Sequence, residues 1–461
     1  MYYNILLKDP KQIKPIKTTL EKNSYLDKSQ KIEVSKDIIK IPTLIKDEII
    51  IQELKLHDIT DCTFEKSNVV KPTVTLETIL QDFINDQPDL KANLDASSLP
   101  KLIEKLPKRY SIYPPLILLP SNTLETPSWS TFLESLTTEQ KATLFDQFIV
   151  KFFQHHTSSN KKLQEQDQNH DQQKLTNIAI NKPIVDTYNE IRYPINLIQL
   201  HGNFGLSKPT LETEFWCHTI QNGIYQTWAP RFTMFSRGNI KEKKRILDTF
   251  PHISGNYVID LYAGIGYFTF SYLAKHAEKV LCWEINEWSC IGMVKGYEKN
   301  KSFQKPNGCY LIQNYEPIDM EKFENANLVI FNESNEFAIK RMKELESYKK
   351  LLSQESESSS NTSSFKIPIS HINLGLLPTS TKSWPITLDL ILQFGSLTSS
   401  YIHIHENVGK LELDGFMEDT KTRLKQISNN SAAVAVVHLE KVKTYAPDVF
   451  HVVGDFKITR L

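Results

Sequence analysis

No two of the five cysteines in this chain are spaced as a CxxC pair; Cys62, Cys217, Cys282, Cys290 and Cys309 are scattered. That speaks against a zinc ribbon or a thioredoxin-like centre and for reduced thiols inside a cell. No stretch approaches about eighteen consecutive apolar residues, so no transmembrane helix is expected. The opening Met1-Tyr2-Tyr3-Asn4 lacks the basic, apolar and small-residue order of a secretory leader, and a cytoplasmic protein is the expectation. Charge of one sign is also missing: 54 Lys and Arg balance 54 Asp and Glu. A nucleic acid would have to be met by local basic patches, not by a global field.

The chain does have the bulk for several cores. At 461 residues, with 40% hydrophobic and 23% charged residues, it reads as a globular protein of two or three domains. Its organising stretch is Tyr257 to Thr269. Tyr257-Val258-Ile259 and Leu261 read as a short buried strand, Ala263-Gly264-Ile265-Gly266 as a tight turn, and Tyr267 to His276 as a helix. Strand, glycine turn and helix in that order bring backbone N–H groups and a helix N-terminus over one space, which suits a nucleotide. Glu284 ends a second strand-like run, Lys279 to Ile285, and is placed to accept hydrogen bonds from ribose hydroxyls. The third glycine of a dinucleotide fingerprint is absent, since Thr269 stands there, and Asp260 would repel a pyrophosphate. Asp260 and Glu284 together suit S-adenosylmethionine, which carries a cationic part and an adenosine. The alternative is a purely structural turn.

Three segments are expected: an α+β module over 1–95, a middle domain over 96–210, and a cofactor domain over 211–461. In the first, Ile16 to Glu21 reads as an amphipathic helix and Ile49-Ile50-Ile51 as a strand. In the second, Lys101 to Tyr110 is basic and ends in an aromatic, a pattern that fits single-stranded RNA or simply a solvated lysine face. Residues 155–174 are polar and glutamine-rich and read as a disordered insertion or long surface loop, with their histidines as loop residues, and 355–364 are serine-rich and read as a mobile loop. Ser236-Arg237-Gly238-Asn239 sets polar donors on a turn, able to hold a carboxylate or a phosphate, and Lys243 follows two helical turns after Ser236. Strands are expected at Cys309 to Gln313, Asn327 to Phe331, from His371, at Ser400 to Asn407, and as a closing pair at Ala432 to Val442 and Phe450 to Ile458. The amides of Gln313 and Asn314 could read adenine edges. His403 and His405 share one strand face, but a third ligand is missing and no metal is expected. The fold class is α/β, a doubly wound, Rossmann-type sheet from about Arg231, preceded by smaller α+β domains.

Several blocks in order resemble one family. Asn222 to Arg231, Met234 to Lys243, Asp260 to Phe268, His371 to Ser380 and His403 to Val408 are similar to the eukaryotic, fungal-type wybutosine-synthesis aminocarboxypropyltransferases. Lys441 to Pro447 resembles a motif shared with the related tRNA guanine-N1 methyltransferases. The resemblance implies a class I methyltransferase-like fold and transfer of a 3-amino-3-carboxypropyl group from S-adenosylmethionine to a ring carbon of a tricyclic guanosine derivative beside the anticodon of phenylalanine tRNA. It implies cofactor contacts at Ser236, Lys243, Glu284, Gln313 and Asn314, although the family commonly has an aspartate where Gln313 stands. With it, Asp260, Gly264 and Gly266 are assigned to the cofactor wall. Arg237, Asn239, Asn373, Leu374 and Pro378 are assigned to positioning the acceptor. No residue is assigned as an acid or base, and a monomer without metal or membrane partner is expected. The rival readings are a guanine-N1 methyltransferase and a catalytically silent RNA-binding subunit.

Overall fold

A computed structural model describes residues 2–461 apart from 24, 28–31, 36–37, 57–58, 60, 68–73, 96, 155–173, 183–188, 190, 192, 195–196 and 356–365. The two loops expected at 155–174 and 355–364 therefore lie outside the described residues, save Lys174 and the backbone of Glu355. The chain divides into two compact units, 1–103 and 104–461.

The first unit is built on a four-stranded antiparallel sheet. Its strands β1 (Tyr2–Leu7), β2 (Glu33–Val34), β3 (Ile39–Pro42) and β4 (Cys62–Ser67) lie in the order β2-β3-β1-β4. The helix Ile13–Lys22 buries Ile16 and Leu20, one turn apart, in a cluster with Ile5, Leu7, Ile39 and Ile41. The strand expected at Ile49-Ile50-Ile51 is instead part of the helix Glu48–Glu53. Asp47 caps it by accepting the Ile49 N–H, and only Ile51 is buried, so capping and one-sided burial override β-branched propensity.

The second unit begins with a small sheet of β5 (Ser111–Tyr113), β6 (Leu116–Pro120), β7 (Asn177–Asn181) and β8 (Leu197–His201), in that order. β9 (Cys217–Gln221) and β10 (Ile224–Trp228) then form a hairpin closed by Asn222 and Gly223, both at positive φ. The large sheet follows. Its strands are β11 (Tyr257–Asp260), β12 (Lys279–Trp283), β13 (Cys309–Ile312), β14 (Leu328–Phe331), β15 (Ile369–Leu374), β16 (Ser399–Gly409), β17 (Ala432–Ala446) and β18 (Val449–Arg460). They are ordered β13-β14-β12-β11-β15-β16-β18-β17, parallel up to β16, with β18 antiparallel to both neighbours.

Alternation along the strands sends side chains to two cores. Ile259, Leu281, Phe331, Leu374 and Ile404 pack on one face, where the helices Ala338–Glu355, Trp384–Asp389 and Phe416–Ile427 lie. Val258, Val280, Cys282 and Ile330 pack on the other, with Ile246, Phe270, Met293 and Tyr297 of the helices Ile240–Thr249, Thr269–Ala274 and Glu287–Lys299. The sheet is thus doubly wound. After β11 the chain adds strands on one side, then returns to place β15 on the other. Loops leaving β11 and β15 therefore part, and a crevice opens at their carboxyl ends.

The second face also buries a chain of charges. Glu242 and Asp455 both pair with Arg245, and Asp455 Oδ1 lies 2.7 Å from His403 Nδ1. His403 Nε2 meets His371 Nδ1 at 2.8 Å, and His371 Nε2 meets the Pro251 carbonyl at 2.6 Å. Acceptors stand at both ends, so His403 Nδ1 and His371 Nε2 are the nitrogens that donate outward. Burial would raise the Asp455 carboxyl, but His403 and Arg245 hold it well below the usual carboxylate range. Asp455→Ala would leave the buried Arg245 guanidinium with Glu242 alone and His403 Nδ1 without its acceptor. It is expected to lower stability by roughly 3–5 kcal/mol in urea unfolding, and an unchanged midpoint would dismiss the pairing as structural support.

Candidate functional site

The glycine turn sits at the mouth of the crevice. Gly264 and Gly266 have φ of +57° and +83°, and a Cβ on either would come within 2.9 Å of the Tyr267 or Phe270 ring. No larger residue fits. The Gly264 N–H donates to Glu284 Oε2 at 2.8 Å, and the Asn286 N–H donates to Oε1 at 2.8 Å. Glu284 is thereby clamped against the turn just past β12, partly accessible, where a ribose would meet it.

Asp260 is placed differently from Glu284. It is wholly buried; Thr269 Oγ1 donates to one oxygen at 2.9 Å and Asn373 Nδ2 to the other at 3.0 Å. Burial raises its carboxyl to about 6. It braces β11 to the following helix and to β15 from beneath the turn, and does not line an open wall. Asn373, expected beside the acceptor, is 1% exposed and serves this brace. Leu374 is fully buried in the opposite core, so its side chain does not reach an acceptor either; strand alternation turns it away. Of that stretch, Pro378 is exposed, and its carbonyl accepts the Asn407 N–H at 2.8 Å.

A cationic recess adjoins the turn. Lys243 is 2% exposed; its Nζ donates to Gln221 Oε1 at 2.9 Å and to Gln226 Oε1, and lies 5.2 Å from the ring centres of Phe235 and Tyr267. No carboxylate pairs with it among the described residues. Gln226 Nε2 in turn donates to the carbonyls of Gly266 and Tyr267, tying the lysine to the turn. The Ser236 N–H donates to the Tyr267 hydroxyl at 3.2 Å, and Lys443 Nζ donates to Ser236 Oγ at 3.3 Å. Arg237 is exposed and donates to Ser111 Oγ, while Asn239 is buried. The chemistry on offer is clear: a carboxylate for hydroxyls at one end and ammonium groups for a carboxylate at the other. Both halves fit S-adenosylmethionine.

Gln313 and Asn314 follow β13, the outermost strand, with β14 between them and β12. The loop beside Glu284 is the one after β14. There Asn332 Nδ2 donates to the Glu284 carbonyl and Asn335 Nδ2 to the Leu261 carbonyl, each at 2.9 Å. The polar run Asn332-Glu333-Ser334-Asn335 behind an apolar strand was the available signal for it. Gln221, Gln226 and Tyr267 carried no comparable signal, because only the fold gathers them round Lys243. Tyr110, a candidate for stacking on RNA bases, has its ring edge-on to Phe152 and Phe153 at 5.9 and 4.9 Å. The described residues hold no cluster of three or more potential metal ligands.

No family model matches the chain. The tRNA wybutosine-synthesizing protein 2 of Saccharomyces cerevisiae is 32% identical over 505 aligned positions, spanning 99% of this chain and 98% of that protein. Its namesake in Schizosaccharomyces pombe is 34% identical over 360, spanning 76% and 73%. Among solved structures, Pyrococcus horikoshii TYW2 in complex with MeSAdo aligns with a TM-score of 0.47 and 16% identity, over 84% of this chain and 100% of that one.

Two ionisations set the expected pH response. Burial pushes Glu284 up to about 7, although the backbone N–H groups of Asn286, Gly264 and Ile285 pull the other way. Burial brings Lys243 down to about 7. Ribose hydroxyls need Glu284 ionised, so affinity falls as pH drops; a ligand carboxylate needs Lys243 charged, so affinity also falls as pH rises. S-adenosylmethionine binding measured by calorimetry should peak near pH 7. Glu284→Gln should flatten the acid limb and Lys243→Arg the alkaline one. A flat wild-type profile would separate both groups from the ligand.

Proposed function

Because the chain belongs to the family of tRNA wybutosine-synthesizing protein 2, we propose that it is an S-adenosylmethionine-dependent tRNA aminocarboxypropyltransferase. It moves the 3-amino-3-carboxypropyl group to the C7 carbon of 4-demethylwyosine, next to the anticodon of phenylalanine tRNA, and releases 5′-methylthioadenosine. It engages the anticodon loop and works as a cytoplasmic monomer.

The observation that carries the reading is the Lys243 ammonium, buried with glutamine carbonyls and aromatic rings but no paired carboxylate among the described residues. An ammonium so placed is best satisfied by an incoming carboxylate. A sulfonium offers three carbons to a nucleophile, and the one that reacts is the one held in line. Clamping the amino-acid tail at Lys243 and Ser236 and the sugar at Glu284 leaves orientation to choose the longer arm. Gly264, Gly266 and the loop after β14 enclose the adenosine. Arg237, exposed beside Ser236, meets RNA phosphate or the tail.

Chromatography of the by-products tests the reaction. Purified protein with hypomodified phenylalanine tRNA should release one methylthioadenosine per group transferred; S-adenosylhomocysteine in its place would reassign it as a guanine-N1 methyltransferase. Glu284→Ala should weaken donor binding about 10- to 100-fold, the worth of charge-assisted hydrogen bonds, with the fold intact. Lys243→Ala should slow transfer more than it weakens tRNA binding, and the opposite pattern would move Lys243 onto the RNA.

A further inference from the structure

Beside the His371–His403 pair lies a second pair with different ends. His405 Nδ1 and His451 Nε2 are 3.0 Å apart, and each residue is only 1% exposed. His405 Nε2 and His451 Nδ1 are buried without a hydrogen-bond partner among the described residues. So are both amide atoms of Asn407, which stands opposite His451 across β16 and β18. Each such atom costs about 1–3 kcal/mol, and buried polar groups are mostly satisfied. Four in three neighbouring residues leave donors and acceptors open to a polar guest.

The surroundings tie that place to the reaction centre. The Phe268 ring, two residues past Gly266, lies 4.7 Å from His405. The Asn407 N–H holds the Pro378 carbonyl. Lys443, opposite His451 on β17, reaches Ser236. Glycine turn, Pro378 turn and Ser236 therefore bracket the pair.

We propose that the His405–His451 pair takes up the proton that the accepting ring carbon must lose, with Asn407 holding the edge of the acceptor base; this rests on the aminocarboxypropyl reading above. A neutral pair distributes two protons over four nitrogens, one of them in the shared bond. In either tautomer one outer nitrogen keeps a lone pair and the other carries N–H. Burial lowers both rings, His405 well below the ordinary histidine value and His451 to about 4, which keeps the pair neutral near pH 7. In the transfer, a π pair of the ring carbon forms the bond to the γ carbon of the tail. The carbon–sulfur bond breaks, its electrons stay on sulfur, and the sulfonium becomes a neutral thioether. The ring carbon, now bearing both hydrogen and substituent, passes the positive charge to the ring. Loss of that hydrogen as a proton to the outer lone pair restores aromaticity. The shared hydrogen bond lets a proton leave from the opposite nitrogen.

The test compares His405→Gln and His451→Gln with wild type on phenylalanine tRNA carrying hydrogen or deuterium at the accepting carbon. Turnover should fall on the order of 10²-fold, the usual contribution of a positioned base, and a primary isotope effect absent from wild type should appear. Donor affinity should not change. Unchanged turnover, or slow turnover without an isotope effect, would overturn the proposal. Should neither histidine variant fold by circular dichroism, Asn407→Ala takes their place: a lower kcat/KM for tRNA at unchanged donor affinity supports the acceptor seat, and wild-type values overturn it. Fast histidine variants that still release methylthioadenosine would sink only the pair's role. S-adenosylhomocysteine from wild type would remove the reading beneath it.

Discussion

The Asp260 carboxylate holds three elements at one point, and the site exists because it does. One oxygen takes the Thr269 hydroxyl at the head of the helix after the glycine turn, and the other takes the Asn373 amide at the end of β15. These are the strands between which the chain reverses direction, so the bonds set the width of the crevice. Wholly buried, the carboxylate has no surface open to a ligand. It leaves Glu284, at the next strand end, as the acidic group that faces the mouth.

From that fixed point the polarity of the site runs one way. Glu284 provides acceptors on the β12 side, and Lys243 and Lys443 provide donors around Ser236 on the other. Neither lysine has a paired carboxylate among the described residues. Burying an ammonium without one is costly, and the glutamines and rings around Lys243 offset only part of it. On the function proposed above, an arriving carboxylate would turn this unfavourable balance of the free protein favourable, and binding would draw on a charge that folding left unmatched.

The local part of this was readable from the chain. Tyr257 to Thr269 announces itself because strand, turn and helix are contiguous, and the glycine requirement follows from backbone sterics. The helix Ile240–Thr249 and the closing hairpin of β17 and β18 were legible for the same reason. What depends on strand order was not. β13 and β14 look alike as short apolar runs, and nothing local says that β14 inserts beside β12 and puts Gln313 and Asn314 one strand farther out. Asp260 and Asn373 are 113 positions apart, and the bond that takes both from the ligand wall is a product of parallel pairing.

The two histidine pairs show why residue type alone does not assign chemistry. His403 and His405 are separated by one residue on the same strand face, and each meets a partner from another strand. The His371–His403 pair ends on a carbonyl and a carboxylate, so its protons are fixed by acceptors it cannot lose. It ties β15, β16 and β18 together. The His405–His451 pair ends on nothing among the described residues, so its protons are free to shift from one outer nitrogen to the other. The difference lies in Pro251 and Asp455, which cap one pair and lie away from the other. A buried imidazole can become reactive where the fold withholds its last hydrogen bond, and among the described residues that holds for His405 and His451 but not for His371 and His403.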